Sequence, residues 1–468
     1  MAELLQRSSA RGRRTLATVT LGSGIALLDG TVVNIAVRSI GTDLHAGLAS
    51  LQWVVNGYFL SLASLILVGG AAGDRFGRRR VYAVGVAGFA MASALCAFAG
   101  SPGQLIAFRV VQGVFAALLT PGSLAIIQSS FRPADRASAI GTWAGVSGIA
   151  TAVGPFVGGL LVEHAGWRWI FAINVPLCAL VLWLVRDVPE SRDEEGGGRF
   201  DVLGGMAGVA VLGVLTYTLT AWRSLPGSAT AALAVLTGLG ALAFVLLQRR
   251  PDAMVPLDLF ASRVFTAANL MTLLVYGALG ALMFLLVLQL QVSAGYGALG
   301  AGLATLPVTV VMLLLSSRAA VVAERTGPRL PMTVGPLVCS VGVLLLAFVD
   351  GGSSYWLEVF PGMLVFALGL TSLVSPLTTA VLAAAPDRHA GIASGINNAV
   401  ARSGSLLAVA ALPAAVGLTG AEYRDPTLLT AGYREAILVC AALLALGGAV
   451  SWFGLAGTTG QTEGQEVT

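Results

Sequence analysis

The sequence contains no lysine; all 27 basic residues are arginine. A phosphate-binding loop of the GxxxxGK[ST] type is therefore excluded. Cysteine is scarce too. Cys96, Cys178, Cys339 and Cys440 each stand alone in an apolar run, at no spacing that suits a metal or a disulfide framework. They read as small hydrophobic fillers. Charge is the largest deficit: only 11% of the 468 residues are charged, against roughly a quarter in a soluble domain. That excludes an ordinary cytosolic enzyme, and the 56% hydrophobic content excludes a disordered chain. A net charge of +4 is too small for a nucleic-acid binder. No nucleophile–base pairing and no metal cluster stand out, so an enzyme is not expected.

What is abundant is apolar sequence in pieces of membrane length. A helix needs about 20 apolar residues to cross the hydrocarbon core. The chain offers fourteen such runs, near 16–37, 50–70, 80–99, 104–127, 138–161, 169–186, 203–222, 229–248, 265–289, 299–320, 332–349, 357–380, 391–416 and 433–455. The first is too long for a removed signal peptide and lacks a cleavage site, so it is expected to remain a helix. With the N-terminus taken as cytoplasmic, 20 of the arginines fall on the cytoplasmic side and five opposite, while Arg109 and Arg402 lie inside spans. This fourfold bias predicts that both termini are cytoplasmic.

Two cytoplasmic loops recur at nearly one offset. Asp74-Arg75-Phe76-Gly77-Arg78-Arg79 is echoed 250 residues later by Glu324-Arg325-Thr326-Gly327-Pro328-Arg329, and Asp135-Arg136 is echoed 252 residues later by Asp387-Arg388. The matches predict a duplicated six-helix unit. The offset spans eight helices, so two extra helices separate the halves. The expected organisation is an all-α integral membrane protein: an N-terminal six-helix bundle over 1–189, a linker with two added transmembrane helices over 190–262, a C-terminal six-helix bundle over 263–456 and a cytoplasmic tail over 457–468. Loops on one side correspond, so the halves are related by an axis along the membrane normal. Two-lobed transporters of this kind place a substrate site at the midplane.

Of the 23 acidic residues, only Asp29 lies in the middle of a span. A carboxylate at the bilayer centre costs about 2.5–3.5 kcal/mol on insertion scales, so it usually faces a cavity and has a task. Desolvation favours its neutral form, and a group so placed can exchange a proton for a cationic or polar substrate. The alternative is a carboxyl hydrogen-bonded to Thr31, Asn34 or nearby backbone for packing alone. Arg109, in the fourth span, is either a structural cation satisfying backbone carbonyls across a helix interface or a coupling residue. Arg402, near Asn397 and Asn398, reads as structural or cavity-lining. In the fifth span Gly154, Pro155, Gly158 and Gly159 combine a helix-bending proline with glycines that admit a neighbouring backbone. Trp53, Tyr58 and Trp143 are pocket candidates, with lipid or core contact as the default for each.

These motifs together resemble the fourteen-helix drug:proton antiporter branch of the major facilitator superfamily, over essentially the whole chain. Gly70 to Arg79, including Asp74, Arg75, Gly77 and Arg78, is similar to the superfamily's signature loop between helices 2 and 3. The resemblance implies a cytoplasmic latch closing on the helix that begins near His389-Ala390-Gly391. Arg109, Gln112 and Gly113 resemble the arginine motif of helix 4, which the resemblance associates with proton transfer. Gly154, Pro155, Gly158 and Gly159 resemble the antiporter motif of helix 5. Leu28 to Ala36, including Asp29, Thr31 and Asn34, looks like the helix 1 motif of this branch, and Trp167 to Pro176 looks like the start of its helix 6.

Two departures stand out: Val37-Arg38 replaces the family's Leu-Pro, and the C-terminal half has no second mid-membrane carboxylate. The implied fold is the major facilitator fold with two extra central helices. The implied activity is proton-driven export of amphipathic drugs or antibiotics from the cytoplasm by alternating access, without cofactor or metal. The implied setting is the plasma membrane, as a lipid-embedded monomer. The rivals are a dedicated exporter of one endogenous metabolite and, ranked far lower, a non-transporting membrane sensor.

Overall fold

Helices of membrane length succeed one another up and down in a computed structural model that describes residues 4–192, 201–250, 253–386 and 389–456. The predicted tail over 457–468, most of the charged linker and the Asp387-Arg388 echo lie outside the described residues. The helices are α1 (Ala10–Asp43), α2 (Leu48–Phe76), α3 (Arg78–Ala97), α4 (Pro102–Ser130), α5 (Pro133–His164), α6 (Trp169–Asp187) and α7 (Val202–Ala221). They continue with α8 (Gly227–Leu247), α9 (Arg263–Val292), α10 (Ala298–Thr326), α11 (Arg329–Leu346), α12 (Tyr355–Ala383), α13 (Ala390–Ala415) and α14 (Pro426–Gly454). Among the described residues, 13 of these are both long and apolar enough to cross a membrane. The exception is α13, 26 residues long, whose Asn397, Asn398, Arg402 and three serines lower its hydropathy.

Several helices run past the predicted spans because polar caps, rather than the lipid boundary, stop them. Ser9 opens α1 by accepting from the Gly12 amide at 3.0 Å. Ser101 and Asp425 cap α4 and α14, each followed by proline at the first helical position. Helices α6 and α10 are interrupted at Ile173 and Thr305, shortly before Pro176 and Pro307, which cannot donate to the carbonyl one turn back. Gly77, at φ 106°, ends α2 and starts α3 in a conformation that favours glycine.

Helices α1–α6 pack chiefly on one another, and α9–α14 do the same. Between the two groups, α2 packs on α13 and α5 on α10. The added hairpin leans on one seam: α7 covers α2 and α13, while α8 packs on α7 and buries none of its residues. Leu313, Leu314, Phe348, Leu357 and Phe453 are 60–75% exposed on the outside, a surface suited to lipid rather than water. The chain is a multi-pass membrane protein.

The two groups are stitched together at the end far from the termini. Gln291 Nε2 donates to the Ile35 carbonyl at 2.9 Å, and Arg38 donates to the Gln291 carbonyl in return. Arg424 Nη2 reaches the Gly41 carbonyl at 3.1 Å, and Gln52 Nε2 donates to the Val409 carbonyl at 2.6 Å. Glu163 Oε2 accepts from the Leu299 amide at 2.8 Å. At the other end, Val146 and Ile149 of α5 are 43% and 42% exposed, beside a cavity of about 760 Å³ lined by Arg7, Leu16, Thr20, Asp135, Thr142 and Val146. The bonds that join the two groups thus gather at the far end, while the cavity at the end that carries the termini lies within the first group, between α1 and α5.

Candidate functional site

Where α1 passes α4, the two mid-span charges of the first group meet. Arg109 Nη1 pairs with Asp29 Oδ2, and both side chains are completely buried. Arg109 also donates from Nε to the Val54 carbonyl at 3.0 Å and from Nη1 to Gln112 Oε1 at 2.6 Å. Gln112 Nε2 donates in turn to Asp29 Oδ1 at 3.0 Å and to Ser93 Oγ at 2.7 Å. Asn174 Nδ2 donates to the same Asp29 oxygen at 2.8 Å and to Ser93 Oγ at 3.3 Å. The guanidinium lies 4.4 Å from the Tyr58 ring centroid and 5.6 Å from that of Phe171. Tyr58 is fixed by its hydroxyl, which donates to the Ala26 carbonyl at 3.0 Å. Five helices thus converge on one carboxylate.

The physical logic is that of a buried pair. Removing either charge leaves the other uncompensated, at a cost of about 3–5 kcal/mol. Three donor side chains, Arg109, Gln112 and Asn174, hold the Asp29 carboxyl oxygens, so any change at that carboxyl must break part of this network. Arg109 Nη2 and Asn174 Oδ1 are buried with no hydrogen-bond partner among the described residues. The cluster therefore keeps a spare donor and a spare acceptor with which to rearrange.

Arg109 satisfies a backbone carbonyl across the α2–α4 interface, the structural use considered for it, and it also pairs with the acid. Thr31 and Asn34 do not hold Asp29. The Thr31 hydroxyl donates to the Leu28 carbonyl at 2.9 Å, and Asn34 Oδ1 is buried without a partner among the described residues. Gly113 lies against the Tyr58 backbone, where any β-carbon would overlap the carbonyl. Sequence reasoning missed Ser93 and Asn174 as members of the cluster. Asn174 carries a signal, being the one amide in the apolar run 169–184; Ser93 carries little.

The glycines of α5 divide into two contacts. A β-carbon on Gly154 would overlap the Thr31 hydroxyl, and one on Gly158 would overlap Val32, so these two seat α5 on α1. Gly159 faces the other group, with its β-position 2.7 Å from Leu299 Cα, while Gly302 of α10 packs onto the Pro155 carbonyl. Trp143 Nε1 donates to Ser23 Oγ at 2.9 Å, tying α5 to α1, and Trp53 packs partly buried against the core.

In the signature-like loop, Arg78 Nη2 pairs with Asp74 at 2.8 Å. The Arg78 amide donates to the Ser191 carbonyl at 2.9 Å, and the Arg79 amide donates to Glu190 Oε1 at 3.1 Å. Arg75 lies 5.5 Å from the Phe76 ring centroid, and the β-position of Gly70 is 3.6 Å from Pro121. These bonds fasten the loop to the chain just beyond α6. They stay within the first group.

The model of the Major Facilitator Superfamily matches residues 19–409. The chain is 36% identical over 416 residues to the tetracenomycin C resistance and export protein of Streptomyces glaucescens, covering 86% of this chain and 76% of that one. It is 34% identical over 469 residues to the methylenomycin A resistance protein of Bacillus subtilis, covering 99% and 98%. Among solved structures, a bacterial homologue of the human lysosomal transporter Spinster superposes with a TM-score of 0.67 at 18% identity, covering 96% of this chain and 97% of that one.

Proposed function

Because the chain belongs to the Major Facilitator Superfamily, we propose that it exports small amphipathic drugs or antibiotics in exchange for protons. The names of its relatives, resistance to methylenomycin A and resistance to and export of tetracenomycin C, supply the substrate class. The observation that carries the proton reading is the fully buried Asp29–Arg109 pair. In this reading residues 1–189 and 263–456 are two rocking bundles, 190–262 holds the added helices, and both termini face the cytoplasm of a cell whose plasma membrane the protein spans as a monomer. The arginine asymmetry supports that orientation. The far end, where the two groups are bonded together, is then the outer one. No cofactor is needed, since the proton gradient drives the cycle.

Coupling runs along α1. Ile35 and Arg38, which close the far end against Gln291, lie six and nine residues beyond Asp29, about 9–14 Å along one helix. Once substrate has carried the far end open, a proton from outside reaches Asp29 and cancels its charge attraction to Arg109, while Arg109 keeps the Val54 carbonyl and the Tyr58 face. The hold of α4 on α1 loosens, and α1 is free to bring its far end back onto Gln291. Releasing the proton to the cytoplasm restores the pair and readies the site for the next substrate. Each net charge moved across 100 mV is worth about 2.3 kcal/mol. At about 1.4 kcal/mol per tenfold, that sustains roughly a fifty-fold gradient.

Asp29→Asn tests the assignment. It resembles the protonated state that the cycle must already tolerate, so the variant is expected to fold and insert. Substrate-triggered proton movement in vesicles is expected to vanish, and undiminished exchange would refute the role. A narrower reading, export of one metabolite, follows the wording of the Streptomyces glaucescens relative. Resistance to several unrelated compounds would set it aside.

A further inference from the structure

Arg402 lies halfway along α13, half-buried, with its guanidinium carbon 5.6 Å from the centroid of the Phe59 ring on α2. Among the described residues no hydrogen bond or ion pair is made by its side chain. Asp29, the one mid-span carboxylate of the sequence, is committed to Arg109. A charge at membrane depth ordinarily pairs or faces a cavity, and among the described residues this one has an aromatic ring beside it but no hydrogen-bond or ion-pair partner.

Its position follows from the seam between the groups. Gln52 of α2 meets Val409 of α13 at 2.6 Å from donor to acceptor. Phe59 and Arg402 each lie seven residues nearer the end that carries the termini, about 10 Å below that closure and on the same helix faces. The lipid flank of the seam is covered by α7, whose Gly205 and Gly213 lie against Val68 and Leu60. The exposed part of Arg402 is left to the gap between the groups. The Phe59 ring meets Tyr58 edge-on at 5.4 Å, and Tyr58 in turn underlies Arg109. An aromatic pair thus separates the unpaired cation from the proton-binding cluster.

We propose that Arg402 is the docking point for an acidic group on the exported compound, such as a carboxylate, an enolate or a phenolate, so that the preferred substrates are anionic amphiphiles. This deepens the export reading and rests on it. A guanidinium offers two parallel donors to a planar anionic group, which a point charge does not. The buried Phe59 ring backs the guanidinium with apolar surface and leaves its exposed part to a ligand. The arrangement also suits the drive: an anion leaving as one proton enters moves two charges in the same electrical sense, whereas a monocation moves none.

The test uses a carboxylated xanthene dye and its methyl ester, measured for proton-gradient-driven transport in proteoliposomes and for binding to the purified protein. Wild type is expected to prefer the acid. Arg402→Gln is expected to lower the acid-to-ester ratio at least tenfold in both assays, and Arg402→Lys to lower it less. Ester transport reports that each variant is folded. An unchanged ratio, or equal loss of both dyes, overturns the proposal. Asp29→Asn, run in parallel, separates the two ideas: if it leaves gradient-driven transport intact, the coupling reading fails while the binding ratio still judges Arg402. If wild type moves neither dye and binds both alike, both readings fall.

Discussion

Asn174 Nδ2 sits 2.8 Å from Asp29 Oδ1, so an amide of α6 shares the carboxylate with the arginine of α4. A donor to a carboxylate stabilises its charged form. Hydrogen bonds to charged groups contribute about 1.5–3 kcal/mol, roughly ten- to a hundredfold in an equilibrium. Asn174→Ala removes one of three such donors to Asp29. Substrate-triggered proton movement in vesicles is expected to fall by about tenfold, while substrate binding to the purified variant stays close to wild type. A purely structural role would instead lower the melting temperature and cut binding and proton movement alike.

Gly302 and Gly158 look alike in sequence but face different partners. A β-carbon on Gly302 would overlap the Pro155 carbonyl across the two groups, whereas one on Gly158 would overlap Val32 within the first. Overpacking costs about 1–3 kcal/mol, equivalent to roughly ten- to hundredfold in a conformational equilibrium. Gly302→Val is therefore expected to disfavour far-end closure and to reduce thiol labelling of a Val146→Cys reporter from the end that carries the termini. Gly158→Val is expected to lower the melting temperature with little change in labelling, because α1 and α5 stay together in both states. Equal labelling in the two variants would remove the distinction.

The helix count was legible, and Asp29, Arg109 and the α5 glycines stood out, because membrane solubility punishes every charge and helix-bending proline. An apolar background turns one carboxyl or one arginine into a signal. Asn174 was half-legible, a lone amide among apolar residues. Ser93 was not legible, since a serine in a membrane helix commonly satisfies its own backbone and nothing local separates that use from this one. One contact of the signature-like loop was not legible for a different reason: the sequence does not encode that the chain after α6 returns beneath Gly77 and brings Glu190 there.

Gly77 is held at φ 106°, with its β-position 2.7 Å from Glu190 Oε1. A side chain there meets backbone strain of about 1–2 kcal/mol and a collision with the carboxylate. Gly77→Ala is expected to lower the melting temperature in detergent. Adding Glu190→Ala is expected to recover the part due to the collision and leave the part due to the backbone. A Gly77→Ala variant that melts like wild type would show that the turn between α2 and α3 adopts another conformation.

Glu163 caps a helix that does not belong to its own group. The N-cap residue of α10, Gly297, provides no side chain, and Glu163 Oε2 of α5 accepts from the Leu299 amide instead. A carboxylate at a helix N-terminus contributes about 0.3–1 kcal/mol through the dipole, and the hydrogen bond adds about 1 kcal/mol. Glu163→Gln keeps an acceptor and loses the charge; Glu163→Ala loses both. Far-end closure is therefore expected to weaken by a few-fold in Glu163→Gln and by about tenfold in Glu163→Ala, with Gly302→Val weaker still. Labelling of the Val146→Cys reporter is expected to fall in that order. Added salt is expected to narrow the gap between wild type and Glu163→Gln, because it screens the charge and spares the hydrogen bond. If both Glu163 variants label like wild type, the contact with Leu299 does not help to hold the far end shut.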